Sequence, residues 1–206
     1  TLRQFYVECE RDKKVLALYR AMQDYPHESA LIFCNFKATV SALALELAKA
    51  GFSVDRLDGD LEQFDRDQVL AKFRNQSVRL LIATDVAGRG IDVEDLELVV
   101  NYELPADPNI YVHRIGRTAR AGRAGIAVSL ITSREVSKIE AIEQAQNESV
   151  VSASQSTEAI DVRALAREAK MQTILISGGR KDKVRPGGIL GALTGEAAGL
   201  IGDDIG

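Results

Sequence analysis

An α/β fold, with a mostly parallel sheet covered by helices on both faces, is predicted by two observations. Short apolar runs alternate with amphipathic stretches from Gln4 to Gln146, the rhythm of strand–helix crossover units. Several runs, Ala30–Cys34 above all, are continuously apolar rather than alternating, as strands buried on both faces are.

Taken in order, Gln4–Cys9 alternates as a strand, and Asp12–Gln23 carries Val15, Leu16, Leu18, Tyr19 and Met22 at helical spacing. Ala30–Cys34 is a buried strand. Thr39–Ala50 is a helix through Val40, Leu43, Leu45 and Leu47, and Gly51 closes it, since glycine readily takes the left-handed conformation that ends helices. Strand Ser53–Leu57, helix Gln63–Arg74, and strands Arg79–Ala83 and Leu98–Asn101 follow. A helix is expected over 111–122, then strand Ile126–Ile131 and helix Ser133–Gln146. Ser149–Thr157 (SVVSASQST) is small and polar and reads as a linker, and Glu158–Lys170 as a short connecting helix. Met171–Ser177 is a strand, Gly178–Arg185 a basic, glycine-rich turn, and Pro186–Leu200 a helix with proline in its first turn. The expected organisation is a domain over 1–148, a linker with a short helix over 149–170, and a smaller segment over 171–206.

Composition narrows the functional classes. An apolar share of 46% in 206 residues is ample for one α/β core and an appendage. The net charge of −4 gives no global sign of a nucleic-acid binder, so any such role rests on local basic patches. No apolar run approaches a membrane span, and no charged-then-apolar leader opens the chain. The chain starts at Thr1 rather than Met and is read as an excised or processed fragment. Cys9, Cys34, His27 and His113 have no zinc-ligand spacing, and free thiols in a reducing cytoplasm are expected.

The densest chemistry lies in YVHRIGRTARAG (111–122). Arg114, Arg117 and Arg120 recur every third residue, with His113 ahead and Arg123 behind. On a helix they would share a face. No acid lies between Asn109 and Arg123, and guanidinium forks suit phosphate oxygens. A solvated basic face is the alternative. Upstream, strand Arg79–Ala83 would deliver residues 84–92 to the carboxyl edge of the sheet, where such folds bind ligands. Gly88 and Gly90 permit close backbone approach there, and Asp92 is a short acceptor suited to ribose hydroxyls; an ordinary β-to-α loop is the alternative. No G-x-x-x-x-G-K-[ST] occurs, so the chain has no phosphate cradle of its own.

HRIGRTARAG (113–122) resembles the last conserved motif of the DEAD-box RNA helicases, and ATDVAGRGID (83–92) the one before it, about twenty residues upstream. The resemblance reaches back to Thr1 and implies the C-terminal of two RecA-like lobes. It implies that Arg117 and Arg120 reach the ATP γ-phosphate as catalytic arginine fingers. Asp92 and Gly90 would lie at the nucleotide and Thr84 at an RNA phosphate. Arg89 would lie in the loop joining the two sites, and His113 would couple the lobes, unless it is a structural, hydrogen-bonded histidine. Asp58-Gly59-Asp60 stands where the family carries HGD, and Gln63 and Arg66 match its QxxR. With Asn35 and Lys37, the residues Gly59, Gln63 and Arg66 would line the RNA backbone, positioning it without reading sequence. The cofactor implied is ATP with Mg2+, the metal held by the N-terminal lobe; no metal site is expected here, and this chain alone is not expected to hydrolyse ATP.

The tail from Met171 resembles the opening of the C-terminal RNA-binding domain of DbpA-type bacterial helicases, an RRM-like α+β fold that directs the enzyme to large-subunit ribosomal RNA. Arg180, Lys181, Lys183 and Arg185 would be its RNA contacts, with a solvated charge run as the alternative. The implied protein is a cytoplasmic RNA helicase acting in ribosome assembly. Its partners would be RNA, the N-terminal lobe and, through the partial tail, a second copy; no membrane is involved. A non-catalytic RNA-binding or regulatory module, or a DNA-directed helicase lobe, is the rival.

Overall fold

A computed structural model describes residues 1–88, 96–119, 124–176, 178–195 and 199–205. They form two compact units, Thr1–Met171 and Gln172–Gly206.

Among the described residues of the first unit, seven strands build one sheet: β1 (Leu2–Glu8), β2 (Ala30–Phe33), β3 (Val54–Leu57), β4 (Leu80–Ala83), β5 (Leu98–Asn101), β6 (Gly125–Ile131) and β7 (Val151–Ser152). Side by side they run β3-β4-β2-β5-β6-β1-β7, each neighbouring pair parallel. The continuously apolar runs are the central strands, and alternation decides which face each residue serves. Ala30 and Ile32 join Ile82 and Val100 on one face, beneath Leu18 and Met22 of α1 (Lys14–Asp24) and Val40, Leu43 and Leu47 of α2 (Lys37–Lys49). Leu31 and Phe33 point the other way. They meet Val69, Leu70 and Phe73 of α3 (Gln63–Arg74), and Ala87 of α4 (Asp85–Gly88) packs in the same cluster. Further along the sheet, Tyr111 and Ile115 of α5 (Pro108–Ile115) and Ile139 and Ile142 of α6 (Val136–Gln146) cover Ala127 and Ile131. Each buried side chain of this size contributes about 1.5–3 kcal/mol, more than the differences in helix propensity among residues other than proline. Packing on the sheet therefore sustains the short helices.

Three expectations for this unit need correcting. The stretch read as a linker supplies β7: Val151 and Ser152 pair with Phe5 and Tyr6, and the Ala153 amide donates to the Tyr6 carbonyl at 2.9 Å. The chain stays docked beyond it, with Gln155 Nε2 donating to the Ala17 carbonyl (2.6 Å). The helix expected over Glu158–Lys170 shrinks to α7 (Val162–Leu165), capped by Asp161, whose carboxylate accepts from the Arg163 and Ala164 amides. The arginine helix is displaced too. It starts earlier, at Pro108, with Asp107 as its cap, and stops at Ile115 on Gly116. Arg117 lies beyond that end and does not continue the helical face of Arg114, and Ala119, at φ +59°, cannot belong to an α-helix.

In the second unit, Pro186 opens α8 (Pro186–Leu193), and Arg180–Asp182 forms a 3-10 turn. The strand expected at Met171–Ser177 is not formed: through Ile176 the backbone has no regular structure, and Ser177 lies outside the described residues. A strand is stable only against a neighbour, and the described residues offer it none. The helix expected to reach Leu200 ends seven residues earlier in sequence, at Leu193, before Thr194 and Gly195.

Candidate functional site

The neighbouring strands β2 and β5 send their connections to opposite faces of the sheet. The chain after β2 enters α2 on one side, and the chain after β5 enters α5 on the other, so their carboxyl ends diverge. Such divergence opens a crevice in parallel α/β sheets. A cleft of about 1050 Å³ lies there, its walls including Asn35, Phe36 and Thr39 after β2 and Tyr102, Glu103 and Leu104 after β5.

Arg114 sits beside the crevice, 2% exposed, with every guanidinium N–H used. Its Nε and Nη2 donate to the two oxygens of Asp85 at 2.5 and 2.7 Å. Nη1 donates to Asn101 Oδ1 (3.2 Å) and the Glu103 carbonyl (2.7 Å), and Nη2 to Asn35 Oδ1 (2.8 Å). The plane lies 5.1 Å from the centre of the Phe33 ring. One side chain thus ties α5 to the ends of β2, β4 and β5. The missing acid opposite the arginines exists after all, in space: Asp85, 29 residues back in sequence. The Glu103 carboxylate accepts from the Asn35 amide (2.7 Å) and the Thr39 hydroxyl (3.1 Å), which places an anion at the start of α2, where the helix dipole favours it.

Sequence reasoning passed over Asp85, Asn101 and Glu103. Asn101 carried a signal, a polar residue closing the run LVVN, and it is fully buried, its Nδ2 donating to Ser129 Oγ at 3.1 Å. Cys34, next to Asn35, is buried and free, and that burial pushes its thiol far above the usual range, which marks it as structural rather than reactive.

The residues expected at RNA gather at the ends of β2, β3 and β4. Thr84 directly follows β4 and is buried, its amide donating to the Leu57 carbonyl at 3.3 Å. Lys37 pairs with Asp60, and a Cβ built on Gly59 would stand 3.6 Å from Lys37 Cε. Gln63 opens α3 and donates to Asp67 Oδ1 (2.7 Å); Arg66 Nη2 donates to the Ala87 carbonyl (2.5 Å), joining α3 to α4. Asp58, at the position of the family histidine, turns inward: it accepts from the Asp60 amide (3.0 Å) and lies 3.5 Å from Arg56 Nη1.

The arginine segment meets the other edge of the sheet. Leu96 and Thr118 form a bridge, the Leu96 amide donates to the Arg117 carbonyl at 3.2 Å, and the Thr118 hydroxyl donates to the Leu96 carbonyl. Arg117 is half-exposed and His113 is exposed in the last turn of α5. Arg89, Gly90, Asp92 and Arg120 lie outside the described residues. In the second unit, Lys181, Lys183 and Arg185 are exposed along the turn before α8, and Arg180 opens the 3-10 turn. Among the described residues no cluster of three His, Cys, Asp or Glu could hold a metal ion, and no helix is long and apolar enough to cross a membrane.

Comparison with known proteins gives this geometry its context. The helicase conserved C-terminal domain family matches residues 13–122, and the DbpA RNA binding domain family matches residues 173–206. Over 203 residues the chain is 45% identical to the ATP-dependent RNA helicase DbpA of Escherichia coli (strain K12), an alignment spanning 98% of this chain and 43% of that protein. A DEAD box protein from Methanococcus jannaschii is 41% identical with a TM-score of 0.70, over 74% of this chain and 42% of that one. The C-terminal domain of the DEAD-box protein Dbp5 is 34% identical with a TM-score of 0.68, over 73% and 89% of the two chains. The chain therefore spans less than half the length of the E. coli relative.

Proposed function

The chain belongs to the DEAD-box helicases, as their conserved C-terminal domain, and from that premise we propose that it is the RNA-gripping, nucleotide-sensing lobe of an ATP-dependent enzyme that remodels structured RNA. The observation that carries this reading is the double tie between the two signature stretches. Asp85 pairs with Arg114, and Leu96 bridges Thr118, so the segments on either side of 89–95 and 120–123 are anchored to each other.

Arg117 and Arg120 present positive charge to the γ-phosphate, where phosphoryl transfer builds negative charge; such a finger is worth roughly 10³–10⁵ in rate. Gly90 and Asp92 receive the nucleotide, while Arg89 and His113 relay its state to the facing lobe. ATP bound with magnesium supplies the phosphoryl group that water takes up. The metal is assigned to the upstream lobe, because this chain has no phosphate cradle. Asn35, Lys37, Gly59, Gln63, Arg66 and Thr84 hold the RNA backbone without reading bases. Arg180, Lys181, Lys183 and Arg185 extend the contact toward large-subunit ribosomal RNA, the work of a cytoplasmic ribosome-assembly factor.

Two measurements test this. The purified chain alone should show no RNA-stimulated ATP hydrolysis. Joined to its upstream lobe, Arg117→Ala should abolish hydrolysis while keeping RNA affinity, and Lys37→Ala should weaken RNA binding and flatten its salt dependence by up to one phosphate contact. Hydrolysis by the lone chain, or equal loss of both activities in both variants, overturns the assignment. Full hydrolysis by the Arg117→Ala enzyme would remove Arg117 from the catalytic role, and no hydrolysis by the unmutated two-lobed protein would instead favour a non-catalytic RNA-binding module.

A further inference from the structure

Two phenylalanines at the same carboxyl edge are left without a purpose by the fold and by the phosphate contacts. Phe36 is 65% exposed and Phe64 63% exposed, and among the described residues neither ring stacks on another. Both occupy positions where local stability argues for something else. Phe36 is the N-cap of α2, extended at φ −123°, ψ 140°, and makes no side-chain cap. Ser, Asp or Asn there would satisfy a free amide of the first turn with a side-chain oxygen. Phe64 lies in the first turn of α3, pointing an apolar ring into water among Glu62, Asp65 and Asp67. Local rules broken without a packing gain mark functional positions.

Their placement is informative. Phe33, Ala83 and Leu57 stand in register across β2, β4 and β3, so the strand ends that lead to the two rings are two strand spacings apart, about 10 Å. Thr84 leaves the strand between them. The Lys37–Asp60 pair and the close approach of Gly59 to Lys37 tie the start of α2 to the loop before α3. The rings therefore flank the row of residues assigned to phosphates. Ionic attraction along that row is thinned: Lys37 is engaged by Asp60 and Arg56 by Asp58, Arg66 spends one N–H on the Ala87 carbonyl, and Glu62, Asp65 and Asp67 lie close in sequence. A polyanion held here needs a contribution that is not ionic.

We propose that Phe36 and Phe64 are stacking platforms for bases of the single-stranded RNA whose backbone passes Lys37, Gly59 and Thr84. The proposal rests on the RNA reading above and deepens it. Every base has a π-face, so such platforms hold a strand without selecting its sequence.

The test is titration of the 206-residue chain and its variants with fluorescein-labelled twelve-residue oligoadenylate, and with an abasic oligomer of the same length, at two salt concentrations. Phe36→Ala and Phe64→Ala should each weaken oligoadenylate binding by roughly fivefold or more. The salt slope should not change, Phe→Trp variants should keep wild-type affinity, and the abasic oligomer should bind all variants alike. Equal losses on both oligomers would overturn stacking. So would unchanged affinity of the Phe→Ala variants while Lys37→Ala weakens binding, and in that case the RNA reading of this edge survives. If neither Phe→Ala variant nor Lys37→Ala loses affinity, the RNA reading itself fails.

Discussion

Replacing Arg114 by Met should unfold this lobe far more easily than its chemistry at the site would suggest. The substitution keeps the aliphatic stem but strands the groups the guanidinium served: the Asp85 carboxylate, Asn35 Oδ1, Asn101 Oδ1 and the Glu103 carbonyl. Removing one partner of a buried ion pair typically costs about 3–5 kcal/mol. The Asp85 side chain keeps 24% exposure and recovers some hydration, which argues for the lower end, about 3 kcal/mol. With a urea slope of about 2 kcal/mol/M, the unfolding midpoint should fall by about 1.5 M. Asp85→Asn should cost less, because the amide oxygen still accepts and the side chain reaches water. The double variant should lose less than the two singles together, with a coupling of about 1–3 kcal/mol. Urea titrations followed by circular dichroism and fluorescence provide all four corners of the cycle. A midpoint within about 0.5 M of wild type for Arg114→Met, or strictly additive losses, would show that the five bonds contribute nothing net and refute the reasoning.

Gly125→Ala should destabilise by about 1–3 kcal/mol, read as a drop of several degrees in Tm. The new Cβ would stand 2.0 Å from Thr118 Oγ1 and 2.5 Å from the Ala119 amide nitrogen, the first held by Leu96 and the second by its own backbone. His27 predicts a pH dependence. Burial, with Arg79 and Arg167 adding to it, holds its imidazole below the usual value despite the bond to the Tyr25 carbonyl. The unfolded chain therefore takes up a proton that the folded chain resists, so this stabilisation is present above about pH 6.5 and lost as pH falls below it. His27→Gln should flatten the fall in urea midpoint between pH 7 and pH 5; an unchanged slope would clear His27 of the effect. In the tail, amide exchange at Thr173–Ile176 should be fast in dilute protein and slow as concentration rises, if Ile174, Leu175 and Ile176 find a strand partner in a second copy; strong protection at every dilution would contradict it.

Much of this architecture could be read from residue order. α3 and β5 fall at their expected bounds, Gln63–Arg74 and Leu98–Asn101, because strong periodicity or an unbroken apolar run ends at a clear signal in each. Gly51 takes the expected positive φ, +92°. The arginine segment misled, since threefold spacing is compatible with a helix without requiring one. The helix ends on Gly116, the left-handed Ala119 follows, and the acid that compensates Arg114 opens α4, 29 residues earlier in sequence. β7 was hidden for a related reason. Two residues cannot establish a period, and Val151 pairs only because β1 offers an open edge. The candidate site could be outlined as a set of motifs, while the wiring through Asn101 and Glu103 depends on contacts between strands that sequence spacing does not encode.

The short β7 also bears on how this lobe can be handled as a separate protein. A boundary at residue 148, where composition changes, would strip away the buried Val150, the two residues paired with β1, and the Gln155 bond to α1. What remained would present one side of the seven-residue β1 as an unshielded ribbon of amides and carbonyls, with Phe5 and Tyr6 at its middle. Exposed edges of that kind recruit further strands. A lobe trimmed there should precipitate or form strand-linked aggregates on concentration, whereas one cut after Lys170 should stay dispersed. The polar stretch that looks dispensable thus acts as the selvedge of the sheet.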